Sequence, residues 1–114
     1  MKVGFIGIGT MGKPMATNIL KSGYELMCYS RSKEKIVDLK DRGALISTSV
    51  EELIEWSDTI IFMLTTSEVI ESLLIKKINN PAIYEGKTII NMGTISPSFS
   101  TKLNREFNKY NAFY

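Results

Sequence analysis

The chain has 114 residues, 44% of them hydrophobic and 23% charged, and a formal net charge of +2, which predicts one globular domain with a single core. It has no block of basic residues and no apolar run of the roughly 18 residues that a membrane span needs, so we expect neither a nucleic-acid nor a membrane partner. The sequence has no histidine, so we expect no metal site. It has a single cysteine, Cys28, so no internal disulfide is possible. With no signal-peptide pattern at Met1, these features predict a cytoplasmic protein.

The first 23 residues change from a strand pattern to a helical one. Residues 3–8 form a short apolar run closed by glycines, which is typical of a buried strand. Over residues 11–22 the apolar side chains recur with helical spacing, and Gly23 stands where a helix commonly ends. One face of this predicted helix carries Met15, Ala16, Ile19 and Leu20.

The rest of the chain repeats this alternation. We expect further strands at residues 26–29, 45–46, 59–64 and 88–92. The first of the remaining helical patterns begins at a cap at Ser32 and ends at Gly43, and the second begins at the Ser49/Glu52 capping box. A third covers residues 67–77 and is followed by a predicted loop at residues 79–81. The last covers Pro97–Lys109, with Ser96 as its cap. This order predicts a three-layer, doubly wound parallel α/β sheet, and residues 112–114 resemble the start of a sixth strand, as in a longer protein.

The first predicted strand leads into a glycine-rich turn of the form G-x-G-x-x-G, which opens the first helix. Gly7 permits the tight turn, Gly9 lets the backbone approach a pyrophosphate, and Gly12 lets the helix pack against the strand. Free N–H groups at the start of the helix would then face the phosphates. The turn comprises Gly7, Ile8, Gly9, Thr10, Met11 and Gly12, and we predict that all six contact a dinucleotide.

A turn of this kind can also exist without a ligand, so that interpretation is kept as an alternative. A P-loop is excluded, because no Gly-Lys-Ser/Thr follows at the required spacing.

The tip of the second predicted strand predicts NADP rather than NAD. An acidic residue there would bind the ribose 2′-hydroxyl of NAD, and it is absent. Ser30, Arg31 and Ser32 can instead donate to a 2′-phosphate, and Lys35 adds charge one helical turn later. The alternative is that Arg31 and Lys35 are solvated residues at the start of a helix.

Residues 5–19, with the stretch Met-Gly-Lys-Pro-Met-Ala-Thr-Asn, resemble the N-terminal signature of the 3-hydroxyisobutyrate dehydrogenase family, the β-hydroxyacid dehydrogenases related to 6-phosphogluconate dehydrogenase. Residues 29–32 resemble its NADP-type glyoxylate and succinic semialdehyde reductase branch. The resemblance covers the whole chain. It implies a Rossmann domain, and it implies that a helical substrate domain follows beyond residue 114.

The resemblance also assigns residues at the ends of the later strands. It implies that Met63, Leu64, Thr65, Val69 and Thr94 line the cofactor. Gly93 and Ser96 take positions near the substrate. The sequence departs from the family pattern at three places: Thr65 stands for a proline, Asn91 for an aspartate, and Gly93 for a serine that helps to hold the substrate carboxylate.

Hydride transfer to a carbonyl needs a proton donor, and the sequence offers none in this chain. The family uses a lysine that the resemblance places beyond residue 114. Ser96 is more simply explained as a helix cap. We therefore expect no catalytic residue here, and we expect the chain alone to bind NADP without turnover.

Two other functions remain open: a nucleotide-binding module without chemistry, and part of an imine reductase, whose N-terminal domain is similar. The C-terminal segment would also form an unpaired sheet edge, so we expect self-association or disorder there.

Overall fold

A computed structural model of the chain describes residues 1–8, 12–31, 33–64, 66–93 and 95–114, without the side chains of Lys33 and Lys35. Its strands are β1 (Lys2–Ile6), β2 (Glu25–Tyr29), β3 (Leu45–Ile46), β4 (Thr59–Phe62) and β5 (Thr88–Asn91). Its α-helices are α1 (Gly12–Lys21), α2 (Val37–Asp41), α3 (Val50–Trp56), α4 (Ser67–Glu71) and α5 (Pro97–Lys109). A 3₁₀-helix (Lys33–Ile36) precedes α2, a π-helix (Ser72–Lys76) continues α4, and a second 3₁₀-helix (Pro81–Tyr84) precedes β5.

The five strands form one parallel sheet in the order β3-β2-β1-β4-β5. Ile6, at the end of β1, lies opposite Tyr29 on one side and Phe62 on the other. The carboxyl ends of β1, β2 and β4 therefore meet where the strand order reverses, which is the place where open α/β sheets bind ligands. This topology confirms the predicted doubly wound fold.

Helices cover both faces of the sheet because successive strand residues point to opposite sides. Ile6 and Phe62 are fully buried in the core beneath α3, α4 and α5. Phe5 is fully buried in the other core, against Ala16 of α1 and Leu39 of α2. Cys28 also lies in this second core, and burial raises the pKa of its thiol to about 12.

The segment between β4 and β5 differs from the prediction. The helix expected over residues 67–77 is α-helical only to Glu71 and continues as the π-helix. The loop expected at residues 79–81 is wrong at its end, because Pro81 begins a 3₁₀-helix. The Asn80 side chain caps this helix by accepting a hydrogen bond from the Ala82 N–H at 3.2 Å. Proline fits the first position of such a turn because no N–H donor is needed there.

The C-terminal segment runs beside β5. The Phe113 N–H donates to the Lys87 carbonyl at 2.8 Å, and the Ile89 N–H donates to the Phe113 carbonyl at 2.6 Å. Phe113 thus takes a parallel sixth position at the edge of the sheet, as predicted, and its side chain stays 66% exposed. Within the described ranges, no helix has the length and apolar character to cross a membrane.

Candidate nucleotide-binding site

The turn after β1 packs closely against the end of β4. Gly7 has a φ of +88°, and its N–H donates to the Tyr29 carbonyl at 3.1 Å. A Cβ at this position would overlap the Met63 carbonyl oxygen and would lie 2.6 Å from Leu64 Cδ2. Glycine is required here both by the backbone conformation and by this contact. The structure thus brings Gly7 together with Met63 and Leu64, two of the residues predicted to line the cofactor.

The start of α1 packs closely on β1. A Cβ on Gly12 would lie 3.3 Å from the Phe5 ring and 3.6 Å from the Gly7 carbonyl oxygen. Ile8 is buried in the core on the same face of the sheet. The predicted role of Gly12 in close packing between helix and strand is confirmed, and the N-terminus of α1 is fixed beside the end of β1.

The ends of β4 and β5 are also in close contact. A Cβ on Gly93 would lie 3.0 Å from the Leu64 carbonyl oxygen. The Gly93 N–H donates to Asn91 Oδ1 at 2.8 Å, so the Asn91 side chain shapes the turn that follows β5. An aspartate carboxylate could accept the same hydrogen bond, so the departure at Asn91 leaves this turn intact.

The helices that begin at this edge are capped by side chains. The Thr66 hydroxyl accepts from the Val69 N–H at 3.2 Å at the start of α4. Ser96 accepts from the Phe99 N–H at 3.2 Å, and its Oγ also lies 3.2 Å from Ser98 Oγ. The interpretation of Ser96 as a helix cap is therefore confirmed.

The predicted ribose-binding tip directly follows β2. Ser30 is half-buried and Arg31 is exposed. Because Tyr29 accepts the hydrogen bond from Gly7, this tip starts next to the glycine turn. Seven predicted contacts lie outside the described residues or have undescribed side chains: Gly9, Thr10, Met11, Ser32, Lys35, Thr65 and Thr94.

The cation nearest to the glycine turn in sequence already has a partner. Lys13, in the first turn of α1, forms an ion pair with Asp38 of α2. The hydrogen bond from Lys13 lowers the pKa of the Asp38 carboxyl, with a smaller contribution from the charge of Arg42. This pair joins the two helices on one face. The part of the chain that is described holds no group of three side chains suited to bind a metal.

Sequence reasoning missed a hollow beside the tip of β2. It has a volume of about 240 Å³, and its lining includes Tyr29 at the end of β2 and residues that precede and begin α3. Leu73 and Lys77, from the helical segment after β4, complete this lining. Tyr29 and Lys77 lie far apart in the sequence, so no pattern of neighbouring residues connects the two sides of this hollow.

Residues 2–114 match the family model described as the NAD binding domain of 6-phosphogluconate dehydrogenase. The chain belongs to this family. The family resemblance drawn from residues 5–19 is therefore confirmed, and the glycine turn at the switch point lies in an NAD-binding domain.

Named relatives agree with this assignment. Mitochondrial 3-hydroxyisobutyrate dehydrogenase of Mus musculus is 36% identical over 118 residues, covering 98% of this chain and 34% of that protein. Glyoxylate/succinic semialdehyde reductase 1 of Arabidopsis thaliana is 35% identical over 105 residues, covering 91% of this chain and 36% of the relative. This chain thus spans about a third of the length of these relatives.

A solved structure gives the same fold. The reductive aminase from Aspergillus terreus, in complex with NADPH and ethyl levulinate, superposes with a TM-score of 0.88 at 30% sequence identity. The match covers 97% of this chain and 38% of the aminase chain.

The contact at Gly7 gives a first prediction. Gly7→Ala should lower the free energy of unfolding by about 2–5 kcal/mol, because a side chain at positive φ costs about 1–2 kcal/mol and overpacking about 1–3 kcal/mol. Gly23→Ala is the matched control: its φ is +89°, and no atom lies within 4 Å of the added Cβ. The Gly23→Ala variant should lose only the about 1–2 kcal/mol that a side chain at positive φ costs. Urea unfolding followed by circular dichroism measures both, and equal losses would contradict the proposed contact.

Proposed function

We propose that this chain is the NADP-binding domain of an oxidoreductase that transfers a hydride between NADP(H) and a small β-hydroxyacid or semialdehyde. The observation that carries the proposal is the close contact of Gly7 with Met63 and Leu64 at the switch point, beside a strand tip that bears Arg31. The single buried Cys28 fits a reducing compartment such as the cytoplasm.

The chain's own groups fit a pyrophosphate at the glycine turn. The end of β4 occupies the space that a Cβ on Gly7 would fill, so the backbone at Gly7 lies directly against β4. Gly12 then begins α1, a helix of ten residues, whose free N–H groups and positive dipole end favour an anion. Residues 9–11 complete the predicted cradle.

Arg31 is the proposed determinant of NADP preference. Its guanidinium offers charge-assisted hydrogen bonds to a 2′-phosphate, supported by Ser30, Ser32 and Lys35. The exposed position of Arg31 directly after β2 supports this role, since that strand tip meets the adenosine ribose in this fold. A carboxylate, the group that would repel a 2′-phosphate, is absent from residues 29–32.

The ends of β4 and β5 are proposed to hold the nicotinamide. Bound there, the nicotinamide supplies the hydride, and the protein positions it. Met63 and Leu64 lie against the glycine turn, and Val69 belongs to the first turns of α4. Thr65 and Thr94 complete the proposed lining, and Gly93 and Ser96 are proposed to lie near the substrate carboxylate.

Cofactor preference can be measured directly by calorimetric titration of the chain with NADPH and NADH. We expect NADPH to bind at least about tenfold more tightly, because each charge-assisted hydrogen bond is worth roughly 1.5–3 kcal/mol. Arg31→Asp should abolish the difference. Arg105→Asp, an equal change of charge on the exposed side of α5, should preserve it. Equal affinities in the unmodified chain would overturn the role of Arg31.

A second measurement concerns activity. We propose that the 114 residues alone do not turn over, because the resemblance places the proton-donating lysine outside them and the chain has no histidine. Incubation with NADPH and succinic semialdehyde should leave the nicotinamide absorbance unchanged. Consumption of NADPH by the purified chain would refute this.

A second candidate function is reduction of imines, which the likeness to a reductive aminase favours. The cofactor site would be the same, so the two candidates differ in substrate alone. A longer protein that carries this domain should be assayed with a semialdehyde and with an imine. A module that binds nucleotide without chemistry would reduce neither.

We also propose that the chain associates with itself along the edge of β5. Phe113 pairs with Lys87 and Ile89 through backbone hydrogen bonds. Further along, Ile90 of β5 and Met92, which directly follows β5, are 37% and 45% exposed. Sedimentation velocity should show a concentration-dependent dimer, and Ile90→Lys should weaken it by placing a charge on the exposed strand. A monomer at all concentrations would contradict this interface.

A further inference from the structure

The side chain of Asn91 lies at the end of β5, where the nicotinamide is proposed to bind. Asn91 is half-buried, and its Oδ1 accepts a hydrogen bond from the Gly93 N–H at 2.8 Å. A Cβ added to Gly93 would lie 3.5 Å from this Oδ1 and 3.0 Å from the Leu64 carbonyl oxygen. The Asn91 carboxamide and the residue that follows the end of β4 therefore border the same small space.

This end of the sheet carries little charge. Residues 61–70 and 90–100, which contain the ends of β4 and β5 and the starts of α4 and α5, hold one ionisable side chain, that of Glu68. Glu68 is exposed in the first turn of α4, so solvent and salt screen its charge. The first turn of α5 has no acidic residue. The positive dipole end of this 13-residue helix therefore has no carboxylate of its own to offset it.

The two redox forms of the cofactor differ in charge at the nicotinamide. The ring is positively charged in NADP⁺ and neutral in NADPH, because the transferred hydride brings two electrons. A carboxylate beside the ring would stabilise the oxidised form, since opposite charges attract strongly where solvent is partly excluded. A neutral amide at the same position gives no such stabilisation, and the positive end of α5 disfavours a cation.

We infer that Asn91 is a determinant of the redox state of the bound cofactor, and that its uncharged side chain makes the chain bind NADPH more tightly than NADP⁺. This inference rests on the proposed function, in which the nicotinamide lies at the ends of β4 and β5. An aspartate could accept the same hydrogen bond from the Gly93 N–H, so the amide differs from it chiefly in charge. A domain with this preference takes up reduced cofactor and releases the oxidised form readily, which suits a reductase.

Calorimetric titration of the chain with NADPH and with NADP⁺ measures this preference. We expect NADPH to bind several-fold more tightly to the unmodified chain. Asn91→Asp should shift the ratio of the two affinities toward NADP⁺ by about tenfold, which corresponds to the pKa shift of about one unit that a nearby opposite charge produces. Asn104→Asp, the same exchange at an exposed position of α5, should leave the ratio unchanged.

Adenosine 2′,5′-bisphosphate, which lacks the nicotinamide, separates this charge effect from a general loss of structure. The Asn91→Asp variant should bind this probe like the unmodified chain. An equal change for all three ligands, or an unchanged ratio of NADPH to NADP⁺ affinity, would overturn the role of Asn91 and leave the NADP assignment intact. If the folded, unmodified chain binds none of the three, the proposed function itself fails. Thermal melts by circular dichroism establish that each variant is folded before affinities are compared.

Discussion

The contact between Gly7 and the end of β4 is the constraint on which the rest of this edge depends. Two neighbouring parallel strands leave no room for a side chain between the β1 turn and the Met63 carbonyl. The backbone must therefore leave β1 at positive φ, at a residue that has a second hydrogen in place of a side chain. That turn sets where α1 begins, and it also places the β2 tip beside it through the bond from Gly7 to Tyr29.

Close contact between strand ends is repeated one strand further on. Gly93 follows β5, and a Cβ added to it would lie only 3.0 Å from the Leu64 carbonyl oxygen. Leu64 thus lies between two glycine turns. Both turns rest on a sheet with a packed core on each face, so the irregular segments that meet at the edge are held by a rigid scaffold.

The two charged features near the proposed cofactor act in different ways. Lys13 is paired with Asp38 and joins α1 to α2, so it contributes to the helix pair on that face. Arg31 stands exposed after β2, where a 2′-phosphate would be recognised by charge and by the planar guanidinium. Arg31, the proposed determinant of selectivity, belongs to neither packed core, so we expect cofactor choice and stability to depend on different residues.

Local sequence determined most of the architecture. The apolar run before Gly7 and the Ser49/Glu52 and Ser96 caps depend on neighbours within a few residues, and the structure confirms each of these three features. The family followed from the same local signature at residues 5–19. The preference for NADP remains a prediction from residues 30–35.

Tertiary structure alone decided what depends on distant contacts. The switch from α4 to a π-helix is not visible in the periodicity of residues 67–77, and Asn80–Pro81 looked like a plain loop. The hollow joins Tyr29 to Lys77, which no pattern of neighbouring residues connects. Helix caps and side-chain periodicity depend on residues within one or two helical turns, so they can be predicted from the local sequence. A cavity is lined by distant segments that come together only when the sheet has folded, so the local sequence does not reveal it.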